Sequence, residues 1–302
     1  MKRAIVTGAT GAIGTALVEE LVANNIETLV FCREGSSRNQ QIPKHPLVTL
    51  KYCSLDQLAS VQNDTSKTYD VFYHFAWEGT TGSARNDMYL QNRNVRYALD
   101  AVGVASRFGC KKFIGAGSQA EYGRVEGVLK PDTPAFPEMG YGMAKLCAGQ
   151  MTREYAHQLS MEHIWTRILS VYGPNDGPQS MVISTMHKLQ NGEVPQFTKG
   201  EQMWDYLYSG DAGRAFHLLG EKGVNGKIYV LGSGQAQPLA EYIKVIRNVV
   251  SPNSRIELGA IPYAPKQVMC LQADITELSK DTGFVPEMDF ATGINKVLEW
   301  RT

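Results

Sequence analysis

The sequence predicts an α/β fold: a doubly wound parallel sheet with a smaller, discontinuous C-terminal domain. Three observations carry that expectation. Residues 3–14 run from the apolar stretch Arg3-Ala4-Ile5-Val6-Thr7 into three evenly spaced glycines, Gly8, Gly11 and Gly14, with an amphipathic segment, Thr15 to Asn24, directly behind them. Short apolar runs then alternate with helical stretches as far as Val171, the pattern of β-α-β units. From Tyr172 onward Gly, Pro and polar residues interrupt the chain more often, starting at Gly173-Pro174-Asn175-Asp176-Gly177-Pro178.

Composition narrows the class of function. The 302 residues are 43% hydrophobic, enough for a core. The formal net charge is zero, so no bulk field points to nucleic acid or an anionic membrane. Cys32, Cys53, Cys110, Cys147 and Cys270 are scattered without a CxxC pair, which predicts reduced, buried thiols. The chain opens on a strand signal with no secretory leader ahead of it, and no apolar run approaches the roughly 18 residues of a membrane helix. These features together give the expectation of a cytoplasmic protein. The six histidines show no metal-ligand spacing, so no metal site is expected.

The elements follow in order. After the first strand and helix, Glu27–Cys32 reads as the second strand and Arg33–Asn39 as a polar loop. Leu47–Tyr52 is the third strand; Ser54-Leu55-Asp56 then caps a helix starting near Gln57. Asp70–Ala76 is the fourth strand, ending in Trp77-Glu78-Gly79. Tyr89–Phe108 is one long helix, and Lys111–Ser118 the fifth strand. Tyr141–Leu159 is the next helix and Glu162–Val171 the sixth strand. A helix at Met181–Leu189 and a final one at Phe290–Arg301 complete the regular pattern. Residues 1–172 are assigned to the sheet domain, with a segment around 204–232 returning to it, and 173–302 mainly to a cap.

The glycine loop has a physical use. Glycine permits positive φ and lets backbone N–H groups approach a ligand. The helix behind it presents unpaired N–H groups and a partial positive charge, which suits a pyrophosphate. In open α/β sheets the tip of the second strand meets the adenosine ribose, where an acid accepts from a 2′-hydroxyl and arginine pairs with a 2′-phosphate. Cys32 ends that strand here, Arg33 follows and Arg38 is near, which favours NADP; Glu34, about 20 residues past the glycines, keeps NAD open. Tyr141 and Lys145 lie four apart on one helix face. A lysine beside a phenol favours the phenolate and lowers its pKa. Such a tyrosine can give a proton to an oxygen, or remove one, during hydride transfer. Ser118, ending the fifth strand, can fix the same oxygen by a hydrogen bond.

With these residues in place the chain resembles the extended short-chain dehydrogenase/reductases, the nucleotide-sugar epimerase, dehydratase and reductase group. Residues 7–14 look like its cofactor loop, His74-Phe75-Ala76 its second cofactor segment, Ser118–Gly123 its strand-five motif and Tyr141–Lys145 its catalytic helix. Arg167–Pro174 and Trp204–Asp211 look like the two signatures of its sugar-nucleotide half. The resemblance implies a Rossmann-type sheet, bound NAD(P), a nucleoside-diphosphate sugar as substrate, and Ser118, Tyr141 and Lys145 as catalytic residues. It implies cofactor contacts from Gly8, Thr10, Gly11, Ala12, Ile13, Gly14, Arg33, Arg38, Ser54, Leu55, Phe75, Ala76, Tyr141 and Lys145. Trp77, Gln119, Tyr172 and Asn175 are the expected substrate contacts. Asn94 is expected to brace the region behind the serine, and the two long helices to form a homodimer interface.

The reaction is narrowed by departures from the family pattern. Its dehydratases carry Asp-Glu where Gln119 and Ala120 stand, and its double epimerase-reductases carry a cysteine at 120 and a histidine in the loop of Asn175-Asp176. Two chemistries are left: NADPH reduction of a 4-keto-6-deoxy sugar nucleotide, favoured by Arg33, and NAD-dependent 4-epimerisation. A cofactor-sensing module without turnover is the rival from another class. Ser54 stands where the family has an aspartate for adenine, and Trp204 where many members have an arginine for the diphosphate. Glu121 is expected to pair with structure.

Overall fold

A computed structural model describes residues 1–301, Arg301 by its backbone alone. The first half builds strands wherever an apolar run must be buried on both faces. β1 (Arg3–Thr7), α1 (Ala12–Ala23), β2 (Glu27–Cys32), β3 (Val48–Tyr52) and β4 (Val71–His74) come first. α2 (Met88–Arg107), β5 (Lys112–Ala116), a short β6 (Val128–Leu129), α3 (Gly140–Gln158) and β7 (Glu162–Ile168) follow. The chain then forms β8 (Ser170–Tyr172), α4 (Met181–Gln190), β9 (Met203–Trp204) and β10 (Tyr206–Tyr208). Last come α5 (Ser209–Lys222), β11 (Ile228–Leu231), β12 (Gln237–Pro238), α6 (Leu239–Val250), β13 (Cys270–Ala273), α7 (Thr276–Thr282) and α8 (Phe290–Arg301).

The central sheet has seven strands in the order β11-β7-β5-β4-β1-β2-β3, and every pair in it is parallel. The chain order reverses between β1 and β4, where such a sheet opens a crevice at its carboxyl edge. One core layer, with Leu17, Leu21, Phe216 and Leu219, lies under α1 and α5. The opposite layer, with Phe72, Phe113, Val102 and Phe108, lies under α2. α1 and α5 cross closely: a Cβ on Gly213 would stand 2.7 Å from the backbone carbonyl of Ala16. A separate cluster joins α4, α6 and α8 through Ile183, Met186, Ile246 and Ile294. β10 pairs with β8, and β13 bridges β9 and β6. No described helix is long and apolar enough to cross a membrane.

Several local expectations shift. α1 begins at Ala12, three residues before the amphipathic segment starts, because Gly11 caps it. The helix expected near Gln57 is a short 3-10 helix, Leu55–Ser60, with Ser54 and Gln57 in a reciprocal capping box. The sixth strand, expected over Glu162–Val171, divides at Leu169: Ser170 and Val171 leave the sheet and join Tyr172 in β8. The thiols are free, but Cys147 is exposed on α3 and Cys270 half-exposed, so dispersal in sequence did not mean burial.

The tight α1–α5 crossing gives a stability prediction. Gly213→Val should cost about 1–3 kcal/mol by forcing the helices apart. Gly177→Ala, with open space around its position, should stay within about 0.5 kcal/mol of wild type; urea midpoints compare the two.

Candidate active site

Two adjoining cavities of about 620 and 460 Å³ open where the strand order reverses. Gly8, Gly11, Phe75, Trp77 and Thr80 line both. Gly8 has φ +76°, and a Cβ there would meet the Ala76 backbone N at 2.6 Å, so the β1–α1 and β4 loops touch through it. Gly14 packs onto the Gly8 carbonyl in the same way. Gly11 differs: the nearest atom to its Cβ position is the Gly8 carbonyl oxygen at 4.0 Å, so a side chain there would occupy cavity space. Gly11 contributes no side-chain cap to α1, and the first turn of α1 holds no acid. Its orphan N–H groups and partial positive charge suit a pyrophosphate. An open glycine cradle at a helix start fits a nicotinamide dinucleotide.

The larger cavity continues past Thr10 to Cys32, Arg33, Arg38, Ser54 and Leu55. Arg38 crosses it, donating from Nη2 to the Thr10 carbonyl at 2.8 Å. Asn39 and Ser36 line this end too; neither carried a sequence signal beyond its place in a polar loop. The smaller cavity takes in Ala12, Ile13, Gly14, Ser118, Gln119, Tyr141 and Lys145. Ala76 and Trp77 sit on the larger one's wall.

Ser118 is held by its neighbours. Glu121, fully buried, accepts the Ser118 N–H at 2.9 Å and the Trp165 indole N–H at 3.0 Å on Oε1, and Arg167 Nε at 2.9 Å on Oε2. Burial pushes the Glu121 carboxyl up, while Arg167 and the two N–H donors pull it back. Gly117 is required here, because its Cβ would stand 2.3 Å from Glu121 Oε1 and from the Trp165 nitrogen. α3 then closes on this turn: a Cβ on Gly142 would lie 2.2 Å from the Ala120 carbonyl oxygen, which brings Tyr141 to Ser118.

Burial raises the Tyr141 phenol above its ordinary value; Arg85 and the Ser118 hydroxyl hold it down. Lys145 was expected to do this. Its Nζ instead donates to the Ala116 carbonyl at 2.6 Å and lies 3.8 Å from the centre of a Trp77 ring, 5.8 Å from that of Tyr141. Desolvation brings Lys145 down to about 7. Trp77 is anchored by its N–H to Gln91 Oε1 at 2.9 Å. His74, deep at the end of β4, binds Thr7 Oγ1 through Nδ1 at 2.9 Å; burial, then Lys145, keep it neutral, near 3.

Other expected residues lie elsewhere. Tyr172 lines neither cavity: it is buried against Phe290, 4.7 Å between ring centres, because β8 turns it into the cap core. Asn175 is buried at φ +62° and lines neither cavity, and its neighbour Asp176 lines the smaller one instead. Burial raises the Asp176 carboxyl. Asn94 braces the Glu78 peptide, accepting its N–H and donating to its carbonyl, and makes no bond to Ser118. Trp204 donates to Ser170 Oγ. Arg85 lines the smaller cavity from a short 3-10 helix, Gly82–Asn86, in the loop segment before α2, and the only sequence signal for it was a polar stretch between β4 and α2.

A parallel sheet with a glycine cradle at its switch point, a serine ending β5 and a Tyr-x-x-x-Lys helix beside it define an enzyme of the short-chain dehydrogenase/reductase type. The chain belongs to the NAD dependent epimerase/dehydratase family, which matches residues 4–232. A putative UDP-glucose 4-epimerase of Methanocaldococcus jannaschii is 25% identical, over 98% of this chain and 97% of that one. A dTDP-glucose 4,6-dehydratase of Streptomyces niveus is 23% identical, over 99% and 92%. A UDP-glucuronic acid 4-epimerase of Bacillus cereus, solved with UDP-glucuronic acid and NAD, superposes with a TM-score of 0.85 at 18% identity, covering 99% and 98%.

Two predictions follow the buried charges. Glu121→Gln leaves Arg167 buried without its partner and should cost about 3 kcal/mol in urea unfolding. The Lys145 proton affinity is lower folded than unfolded, so its charged form opposes folding fully below about pH 7, and less as pH rises towards its ordinary 10.5. Lys145→Met should therefore gain most over wild type at acid pH, and its advantage should shrink between neutral and alkaline unfolding curves.

Proposed function

We propose that this chain is an NAD-dependent 4-epimerase of a nucleoside-diphosphate sugar. The observation that carries the reading is a single proton-transfer centre, Ser118 facing Tyr141, with Gln119 and Ala120 after the serine and Glu121 locked in its ion pair. Such a centre serves one carbinol carbon and has no carboxylate pair to drive elimination. The related 4-epimerases add weight to this choice over reduction. The chemistry a bound nicotinamide dinucleotide supplies is acceptance and return of a hydride.

The residues divide the rest. Gly8, Gly11 and the first turn of α1 hold the pyrophosphate, and Ser54 and Leu55 border the adenine end. Ser118 donates to the sugar oxygen at the reacting carbon. Tyr141 takes the proton from that oxygen as the ketone forms and gives it back as the alcohol re-forms. Lys145, bonded to the Ala116 carbonyl on the wall of the smaller cavity, would help to hold the cofactor there. Trp77, Gln119 and Asp176 border the sugar, and the cap of residues 173–302 holds the nucleotide. Homodimerisation belongs to the same proposal: the outer sides of α2 and α3 leave Met88, Tyr89, Met143 and Met151 exposed.

A second reading is NADPH-dependent reduction of a 4-keto-6-deoxy sugar nucleotide. It is supported by Arg33 and Arg38 on the cavity wall beside a strand that ends in Cys32 rather than an acid. The test is a panel of UDP- and dTDP-hexoses with catalytic NAD. The 4-epimer should appear without net NADH, and Tyr141→Phe should slow it about 10²–10⁴-fold while NAD still binds. Stoichiometric NADPH consumption by the keto-sugar without epimer would give the site to the reductase. Equal inertness of both proteins with cofactor bound would favour a sensing module.

A further inference from the structure

The Tyr141 ring is faced by charged or titratable groups from three elements. Arg85, from the loop before α2, lays its guanidinium over the ring, 4.3 Å from carbon to ring centre. Ser118 and Glu121 face it from the turn after β5. Lys145 approaches along α3 itself, and Asp176 lines the same cavity. His74 faces Lys145.

The two cations differ in kind and in engagement. Lys145 is enclosed, bonded to the Ala116 carbonyl and lying against Trp77, and burial brings its ammonium down to about 7. A guanidinium keeps its proton throughout. Arg85 Nη1 donates to the Thr80 carbonyl at 3.1 Å and Nε points at Met139 Sδ at 3.3 Å. Neither partner is anionic, and among the described residues Arg85 forms no ion pair. Its charge is therefore spent on the ring it covers. A cation on an aromatic face is attracted by the ring's electrons, and more so once the phenol has lost its proton.

We propose that Arg85 is a positioning residue for the proton transfer: its fixed charge on the Tyr141 face stabilises the phenolate, the work that spacing in sequence assigned to Lys145. The inference deepens the proposed function and rests on it for the step served, but not for the electrostatics. The loop that carries Arg85 lies between β4 and α2 and borders the smaller cavity.

The test reads the phenol directly and needs no substrate. Protein labelled with ¹³Cζ-tyrosine is titrated by NMR, with the Tyr141 resonance identified by its loss in Tyr141→Phe. In Arg85→Gln the midpoint should lie about one pH unit above wild type, and Arg85→Lys should recover most of that difference. Melting curves establish that each variant is folded, and Arg85→Met stands in if the glutamine variant is not. Equal midpoints in wild type and the uncharged variant overturn the proposal. So does an Arg85→Lys protein that titrates like Arg85→Gln, since charge is then not the cause. None of these outcomes depends on whether the enzyme proves to be an epimerase or a reductase.

Discussion

The Glu121 carboxylate ties the turn after β5 to side chains of the neighbouring strand β7. It receives one hydrogen bond from the backbone of Ser118 and two from side chains on β7, Trp165 and Arg167. A carboxylate this deep is tolerable only with its lone pairs satisfied by donors. The Ser118 peptide therefore cannot swing without leaving a buried charge short of a partner. The ion pair also threads past Gly117, where no side chain fits, and Trp165 packs where Gly115 and Gly149 leave room for its ring. Three glycines and an ion pair thus fix one hydroxyl at the mouth of β5.

From that fixed point the rest of the site takes its geometry. Gly142 lets α3 rest on the Ala120 carbonyl, and Tyr141 reaches Ser118 because of that contact. Lys145, one turn on, falls beneath the ring of Trp77, which is itself pinned by buried Gln91. Gln91 in turn donates to the Gly79 and Ala84 carbonyls, so the same glutamine braces the loop that carries Arg85. Buried polar groups that are satisfied in this way rigidify a site. A lysine deprived of water and an arginine at the cavity wall are two consequences of one packing arrangement.

What could be read from the sequence was what short-range pattern controls. The glycine loop, the sheet strands and the serine, tyrosine and lysine stand at spacings that the local backbone dictates. Tyr172 was misjudged because its surroundings come from far along the chain. Phe290 lies 118 residues beyond Tyr172, and no local pattern announces that contact. Asn94 sits on the expected helix face, yet its partner is the Glu78 peptide, a backbone group with no residue type to read. Arg85 lay in a loop whose course is set by tertiary packing. Arg33 and Arg38 were visible as cations, but both are exposed, and an exposed arginine beside an adenosine site is compatible with either dinucleotide.

The second signature of the sugar-nucleotide half, Trp204 to Asp211, acts as a seam. Asp205 is fully buried and accepts N–H groups from Ser233, Gly234 and Ala273. Asp211 does the same for Glu287 and Met288 and pairs with Arg214. Each carboxylate binds backbone of a later segment, so the residues between them return the chain to the sheet through α5 and β11 and anchor the loop ahead of α8. This accounts for an aspartate after Trp204 without any ligand. The smaller cavity is walled on one side by Ile168, Leu169, Val171 and Asp176 and on the other by the loops after β1 and β4. Val171 on that wall belongs to β8, which pairs with β10 directly after Asp205, so a seam of acids bonded to peptides holds this side of the cavity in place.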